Sequence, residues 1–434
     1  MHKGPHPTQH APALHPSTLY TAGQRQRLLF ILFLVGTSNY LDRNIIGVLL
    51  EPIRDEFGAS DTMLGLLSGL AFALFYATLG IPVARIADRG DRRLVITVSL
   101  AVWSMMTVLC GFAQSFWQLA LARVGVGAGE AGAIPPAQSL IADYVPPDGR
   151  ARALGLFLMS SMAGYVLGLV LGGWIAQNHG WRAAFVAAGL PGLLLAVVTW
   201  RSLDEPRRLP QYAVSSVDQE SVWSALRALL AKPSFRLLSV AMVLYFLMAY
   251  GALVFTVSFL IRIHGLSVAQ AGLWFGIVSG VGAVIGNIGG GWLADRLSRR
   301  NIAWLAWLPA IVLLMVMPLY QAAFLTDYLW LTLALLLLGG IGLTGAVPSL
   351  FSAVHHVCGS TRRATAIAIL FFLSNLIGMG LGPVLTGSLS DGIAAGSDPA
   401  TGLRQALALV MFAFVPAALT LLAAGRHIAA DAEA

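Results

Sequence analysis

Apolar runs of about twenty residues recur along the chain, separated by short polar segments that carry most of the arginines. A helix needs about 20 mostly apolar residues to cross a hydrocarbon core of about 30 Å. By that measure the pattern predicts spans near 27–50, 62–84, 94–114, 117–142, 152–177 and 183–202, then near 236–262, 268–293, 302–322, 328–354, 364–388 and 402–426. Twelve spans in two groups of six predict an all-α membrane protein of two six-helix bundles. The chain then divides into a polar tail (1–26), a first bundle (27–202), a linker (203–235), a second bundle (236–426) and a short tail (427–434).

Composition agrees. Of 434 residues 57% are hydrophobic and 11% charged, whereas soluble domains carry about 25% charged residues. The net charge of +7 does not point to nucleic acid, because the basic residues punctuate the chain between apolar runs. Neither lysine, Lys3 nor Lys232, closes a phosphate-binding G-x-x-x-x-G-K-[ST] loop, so the chain has no nucleotide-driven motor of its own. No H-E-x-x-H or G-x-S-x-G motif occurs. The expectation is a non-enzyme with no cofactor beyond a coupling proton. Cys110 and Cys358 fall towards opposite faces and cannot pair, and the adjacent His355 and His356 suit solvated side chains better than a metal site.

The arginine census orients the chain. With the N-terminus placed inside, twenty-one of the 27 Lys and Arg residues fall on the inner side, and Arg54, Arg182, Arg262 and Arg404 on the outer. This positive-inside bias predicts two cytoplasmic termini. The first tail, lacking an apolar core segment, reads as a disordered cytoplasmic tail rather than a signal peptide. In the linker, Val222, Trp223, Leu226, Leu229 and Leu230 have the spacing of a short amphipathic helix on the inner membrane surface, or of a simple solvated tether.

The halves repeat one another. Ala84-Arg85-Ile86-Ala87-Asp88-Arg89-Gly90-Asp91-Arg92-Arg93 follows the second run, and Gly291-Trp292-Leu293-Ala294-Asp295-Arg296-Leu297-Ser298-Arg299-Arg300 follows the eighth. Gly132-Ala133-Ile134-Pro135 in the fourth run is echoed by Gly345-Ala346-Val347-Pro348 in the tenth. Duplicated halves mark transporters, with the substrate site between them near the midplane.

Twelve spans, a central linker and this loop resemble the major facilitator superfamily, whose loop reads approximately G-x-L-A-D-R-x-G-R-R. The first copy departs at Ala84 and Asp91, the second at Ser298. The resemblance implies a cytoplasmic latch built from Asp88, Arg92, Arg93, Asp295, Arg299 and Arg152, with the acids facing a helix N-terminus. Loop arginines that only fix topology are the other reading. Asn39-Tyr40-Leu41-Asp42-Arg43, then Arg123-Val124-Gly125-Val126-Gly127-Ala128-Gly129-Glu130-Ala131 leading to Ile141-Ala142-Asp143, and Glu205-Pro206-Arg207-Arg208 are similar to the Spinster branch. That branch moves lysolipids and sphingoid phosphates.

Four charged residues lie well within the spans: Asp42, Arg43, Arg123 and Glu130. An ionisable group at the bilayer centre costs at least about 2.5–3.5 kcal/mol, so each must face protein or water. The resemblance implies that the first and fourth helices line a shared cavity. Glu130 is expected to carry the proton with Asp42 as its coupled partner, while Arg123, Arg43 and Asn39 serve as substrate contacts or counter-ions. A purely structural ion-pair cluster is the alternative. Tyr245, Phe246, Tyr250, Phe255 and Phe259 on the seventh helix could line an apolar path or simply pack. Gly164, Gly168 and Gly172 on the fifth helix and Gly276 and Gly280 on the eighth have the small-residue spacing of close helix packing, expected between the bundles.

The expected function is proton-coupled transport of a small amphiphilic or anionic substrate by alternating access, by a monomer in a bacterial inner membrane. An exporter of drugs or organic anions is the alternative within the class. A scramblase or non-transporting sensor fits less well, because the first needs no proton site and the second would carry a soluble domain.

Overall fold

The computed structural model describes residues 20–208 and 222–431. The expected disorder of the first nineteen residues, and the linker between 208 and 222, fall outside the described residues. Everything described is helix, turn or short connection.

Span 1 is Ala22–Phe57, span 2 Asp61–Arg89 and span 3 Arg92–Cys110. Span 4 is broken, running Phe116–Glu130 and then Ile134–Tyr144. Spans 5 and 6 share the helical stretch Pro147–Ser202 and part at Gly180, where φ is 83°. Span 7 is Pro233–His264, span 8 Val268–Ser298 and span 9 Trp304–Leu325. Spans 10 and 11 part at Gly359, with φ 67°, and span 11 runs on to Ala394. Span 12 is Pro399–Asp431. Only glycine takes such positive φ without strain, so Gly180 and Gly359 are the reversals between helices.

By length and composition, nine described helices suffice to cross a membrane, one of them holding spans 5 and 6. Span 1 fails that test because Asn39, Asp42, Arg43 and Asn44 sit at its centre. Span 4 fails because Pro135 and Pro136 cannot donate the backbone hydrogen bonds that would carry the helix through Ala131–Ala133. Both exceptions are where the charges lie.

Local chemistry sets the ends. Thr21 caps span 1 in a reciprocal box with Gln24, so the helix starts at Ala22, inside the expected tail. Asp91, the residue at which the first loop departs from the superfamily pattern, is the N-cap of span 3 and accepts from Leu94 N at 2.8 Å. The last span reaches Asp431, past the expected boundary at 426. In the linker, Val222–Ala231 is helical with Ala225 and Leu229 buried and Trp223, Arg227 and Leu230 exposed.

Large apolar side chains such as Leu121, Leu194, Ile288 and Met315 remain exposed on the helix surfaces, a surface suited to hydrocarbon rather than water. Spans 2 and 11 each carry a π-helical turn, Leu66–Leu70 and Ser374–Met379. Ideal Cβ atoms on Gly65 and Gly69 of span 2 would strike Pro383 and Gly380 of span 11, so the bundles touch backbone to backbone here.

The glycines of span 5 correct an expectation. Gly164, Gly168 and Gly172 do not face span 8. They seat span 1: a Cβ on Gly164 would meet Leu41 N at 2.9 Å, one on Gly168 Leu41 O at 3.1 Å, and one on Gly172 Ile45 Cγ1 at 2.7 Å. Residues four apart share one helix face, and in span 5 that face is turned into its own bundle. The neighbouring Gly173 faces span 8 at Val268, while Gly276 and Gly280 do contact span 5, at Val170 and Val166.

Candidate functional site

All four intramembrane charges come together in the N-terminal bundle. Arg43 donates from Nε at 3.1 Å and Nη2 at 2.8 Å to Oε2 of Glu130. Its guanidinium lies 5.2, 5.0 and 4.5 Å from the ring centres of Tyr40, Phe72 and Tyr76. These aromatic faces stabilise a cation that has little water around it. Among the described residues Arg43 is also the one charged residue lining a cavity between the bundles, whose other walls include Asn44, Ser68, Tyr165, Tyr250, Leu253, Val254 and Phe275.

Asp42, the next residue, points elsewhere, because successive helical side chains diverge by about 100°. Its carboxylate is fully buried beside Thr107 and Trp103 of span 3, and neither oxygen makes a hydrogen bond within normal geometry. Arg123 is fully buried too. It spends its donors on main chain, Nη1 on Asp42 O at 3.0 Å and Nη2 on Arg43 O at 3.4 Å. The structure therefore places Arg123 as a strut for span 1 and a nearby counter-charge, away from the cavity. Asn39 is buried next to Glu130, with both amide atoms unpaired.

Glycines of span 4 make this closeness possible. A Cβ on Gly127 would strike Phe72 O, one on Gly129 Trp103 N at 2.6 Å, and one on Gly125 the Met106 side chain at 2.7 Å. Spans 2 and 3 thus approach the helix that carries Arg123 and Glu130 more closely than side chains would allow.

Of the seventh-helix aromatics, Tyr250 lines the cavity and Phe246 stacks on it with ring centres 5.9 Å apart. Tyr245 and Phe255 do not line it: Tyr245 is buried and donates to Leu343 O at 2.8 Å, and Phe255 has no exposed surface. Phe259 packs edge-on against Phe324. His355 is half-buried and His356 exposed.

At the arginine-rich end, Asp88 and Asp295 are exposed and in no ion pair among the described residues, and Arg152 and Arg299 are exposed. Arg92 is instead a buried hub. It pairs with Glu205 at 2.6 Å and Asp143 at 2.7 Å, and its backbone N–H also donates to Glu205. Arg93 stacks on Trp200, 4.3 Å from the ring centre. Three motif segments that share no role in the linear pattern thus meet at the ends of spans 3, 4 and 6. Burial pushes the Glu205 carboxyl up, but the Arg92 hydrogen bonds and charge outweigh it and hold the group below the usual glutamate range.

The arginine-poor face holds a second cluster that the linear pattern does not reveal. Arg262 at the end of span 7 pairs with both Glu51 of span 1 and Asp61 of span 2, each at 2.7 Å. The one available signal was that Arg262 is among only four cations on that side.

Comparison with known proteins agrees with this architecture. The family model of the Major Facilitator Superfamily matches residues 32–383. An MFS-type efflux pump of Mycolicibacterium smegmatis is 36% identical over 386 residues, 88% of either chain. Protein spinster homolog 1 of Xenopus tropicalis is 28% identical, over 89% of this chain and 78% of its own. The crystal structure of a bacterial homolog to the human lysosomal transporter Spinster, inward-facing and unoccupied, superposes with a TM-score of 0.89 at 33% identity, covering 96% of this chain and 100% of that one. Its inward-facing and occupied form gives a TM-score of 0.87. With its two six-helix bundles, paired intramembrane charges and repeated loops, the chain belongs to the major facilitator superfamily and is a Spinster-like membrane transporter rather than an enzyme.

Proposed function

We propose that this transporter carries an amphiphile with an anionic head group together with a proton, by alternating access. The observation that carries the reading is the Arg43–Glu130 pair at the cavity wall. Among the described residues Arg43 is the only cation lining the cavity, and while Glu130 is ionised it holds two of the five guanidinium donors and balances the charge. A proton on Glu130 ends the pair and frees a guanidinium suited to a phosphate or carboxylate. Proton and anion then bind together, which is the thermodynamic requirement for moving them together. The apolar walls from Leu253, Val254 and Phe275 receive a hydrocarbon tail, at about 0.8 kcal/mol per buried CH₂. Asp42, out of contact with the cavity, acts as the second protonatable group through the shared neighbour Arg123.

The positive-inside bias supports a cytoplasmic arginine-rich face, in a bacterial inner membrane. A second reading, export of drugs or organic anions, is favoured by the 36% identical efflux pump. Proteoliposomes under an imposed pH gradient separate the two. The first reading expects accumulation of lysophospholipid or sphingoid phosphate, at least about tenfold above a cationic drug of similar size. Accumulation of the drug alone would select the second.

A further inference from the structure

We propose that Arg262, Glu51 and Asp61 form a proton-sensitive lock that holds the two bundles together at the arginine-poor face. The geometry is a double fork. Arg262 Nε and Nη2 donate to the two oxygens of Glu51 at 2.9 and 2.7 Å, and Nη1 and Nη2 donate to the two oxygens of Asp61 at 2.8 and 2.7 Å. The arginine comes from the C-terminal bundle and both acids from the N-terminal one. Side-chain exposures of 6%, 8% and 2% show that the cluster is sealed from solvent.

Its surroundings strengthen the case for a lock. Asp391, at the end of span 11, accepts from the backbone N–H groups of Asp61 and Thr62 at 2.9 and 2.8 Å. Ser390 donates to Asp61 Oδ2 at 2.6 Å. Arg54 stands 3.9 Å from Glu51 and 4.0 Å from Asp61. The charged groups facing one another are therefore two guanidiniums, Arg262 and Arg54, and three carboxylates, Glu51, Asp61 and Asp391. A Cβ on Gly387 would strike Asp61 O, so spans 2 and 11 meet too closely here for water to intervene.

Four of the five guanidinium N–H donors of Arg262 serve this one seam. Such charge-assisted, bidentate bonds are about twice as strong as neutral ones, and they exist only while the acids are ionised. In the separated state each group is solvated instead, so a proton on Glu51 or Asp61 weakens closure without a comparable effect on the open form. Acid on this side then favours opening towards it. The lock would bias a carrier to present its cavity to the more acidic compartment. That response needs neither Glu130 nor a bound substrate, so it stands apart from the coupling reading above.

Spin labels at the exposed positions Asp55 and Ser397, with Cys110 and Cys358 replaced by alanine, report the separation of the bundles at this face in the full-length protein. As pH falls from about 8 to about 3, below the ordinary carboxylate values, a long-distance population should grow at least about fivefold. Glu51→Gln and, separately, Asp61→Asn should show that population already at the higher pH. Glu56→Gln, which alters an ion pair on the same face but within one bundle, should not. The response should persist in Glu130→Gln. A pH-independent distribution in the parent, an equal shift in Glu56→Gln, or loss of the response in Glu130→Gln would each overturn the lock.

Discussion

Arg43 and Glu130 are joined through a single carboxylate oxygen, Oε2, which receives both the Nε and Nη2 donors of the arginine. The other oxygen, Oε1, is buried and has no hydrogen bond. Glu130 is thus held on one side only, and the arginine that holds it faces the cavity. Arg43→Lys keeps the charge but loses the planar fork and its stacking among three rings. It should weaken binding of a phosphate-bearing amphiphile about tenfold while sparing a zwitterionic one, measured by ligand-induced shifts in thermal unfolding.

Arg123 tests the difference between a strut and a binding group. Two of its donors hold the main chain of span 1 at Asp42 and Arg43, so Arg123→Ala removes two charge-assisted hydrogen bonds, each contributing about 1.5–3 kcal/mol. The expected result is a lower unfolding temperature for the empty protein, with equal affinity losses for anionic and neutral ligands. A selective loss of anion binding with unchanged stability would return Arg123 to the cavity.

The Arg92–Glu205 pair supplies a pH signature at the arginine-rich end. Because the Glu205 carboxyl is held below its ordinary range, its contribution is complete above the ordinary glutamate pKa and disappears as pH falls through the lowered one. Glu205→Gln should therefore cost stability on the order of 3–5 kcal/mol at neutral pH, as expected for a broken buried pair. The gap to the parent should close in acid. Thermal unfolding of both proteins across pH measures it.

Two glycines one bundle apart should behave differently. Gly164→Ala forces span 5 away from span 1 within a bundle, where Leu41 N and Tyr40 Cβ both stand 2.9 Å from the new methyl. Overpacking of this kind costs about 1–3 kcal/mol, so the unfolding temperature should fall. Gly272→Ala intrudes on Leu169 across the seam. It should instead shift the spin-label distances across the arginine-poor face, with little change in unfolding.

Asp88 is exposed and in no ion pair among the described residues. If the loop latches the other conformation, Asp88→Asn should enlarge the population seen here at the expense of the alternate one, by severalfold in distance distributions across the arginine-rich face. An unchanged distribution would leave the loop as a topology signal.

The spans were legible because period and length alone separate a bilayer-crossing helix from a loop. So was the break in span 4, which Pro135 and Pro136 impose on their own backbone. The convergence of Asp42, Arg43, Arg123 and Glu130 was legible because four charges have nowhere else to go in hydrocarbon. Their division of labour was not. Adjacent residues on span 1 point about 100° apart, and an arginine bonded to carbonyls looks in sequence like one awaiting a ligand. The span 5 glycines showed close packing but not the partner, since a small-residue stripe has no direction until the helix is rotated into place. Glu51 and Arg262, 211 residues apart, meet only through the juxtaposition of two bundles.

The central claim is that a proton on Glu130 and an anion on Arg43 bind as a pair. Proton uptake by the purified protein, read with an indicator dye in weak buffer as a lysophospholipid is added, tests it directly. The parent should take up about one proton per ligand at a pH where Glu130 starts ionised, and affinity should fall about tenfold per pH unit above that point. Glu130→Gln should bind with no proton uptake and with an affinity independent of pH. Undiminished uptake in Glu130→Gln, or binding without uptake in the parent, would contradict the account.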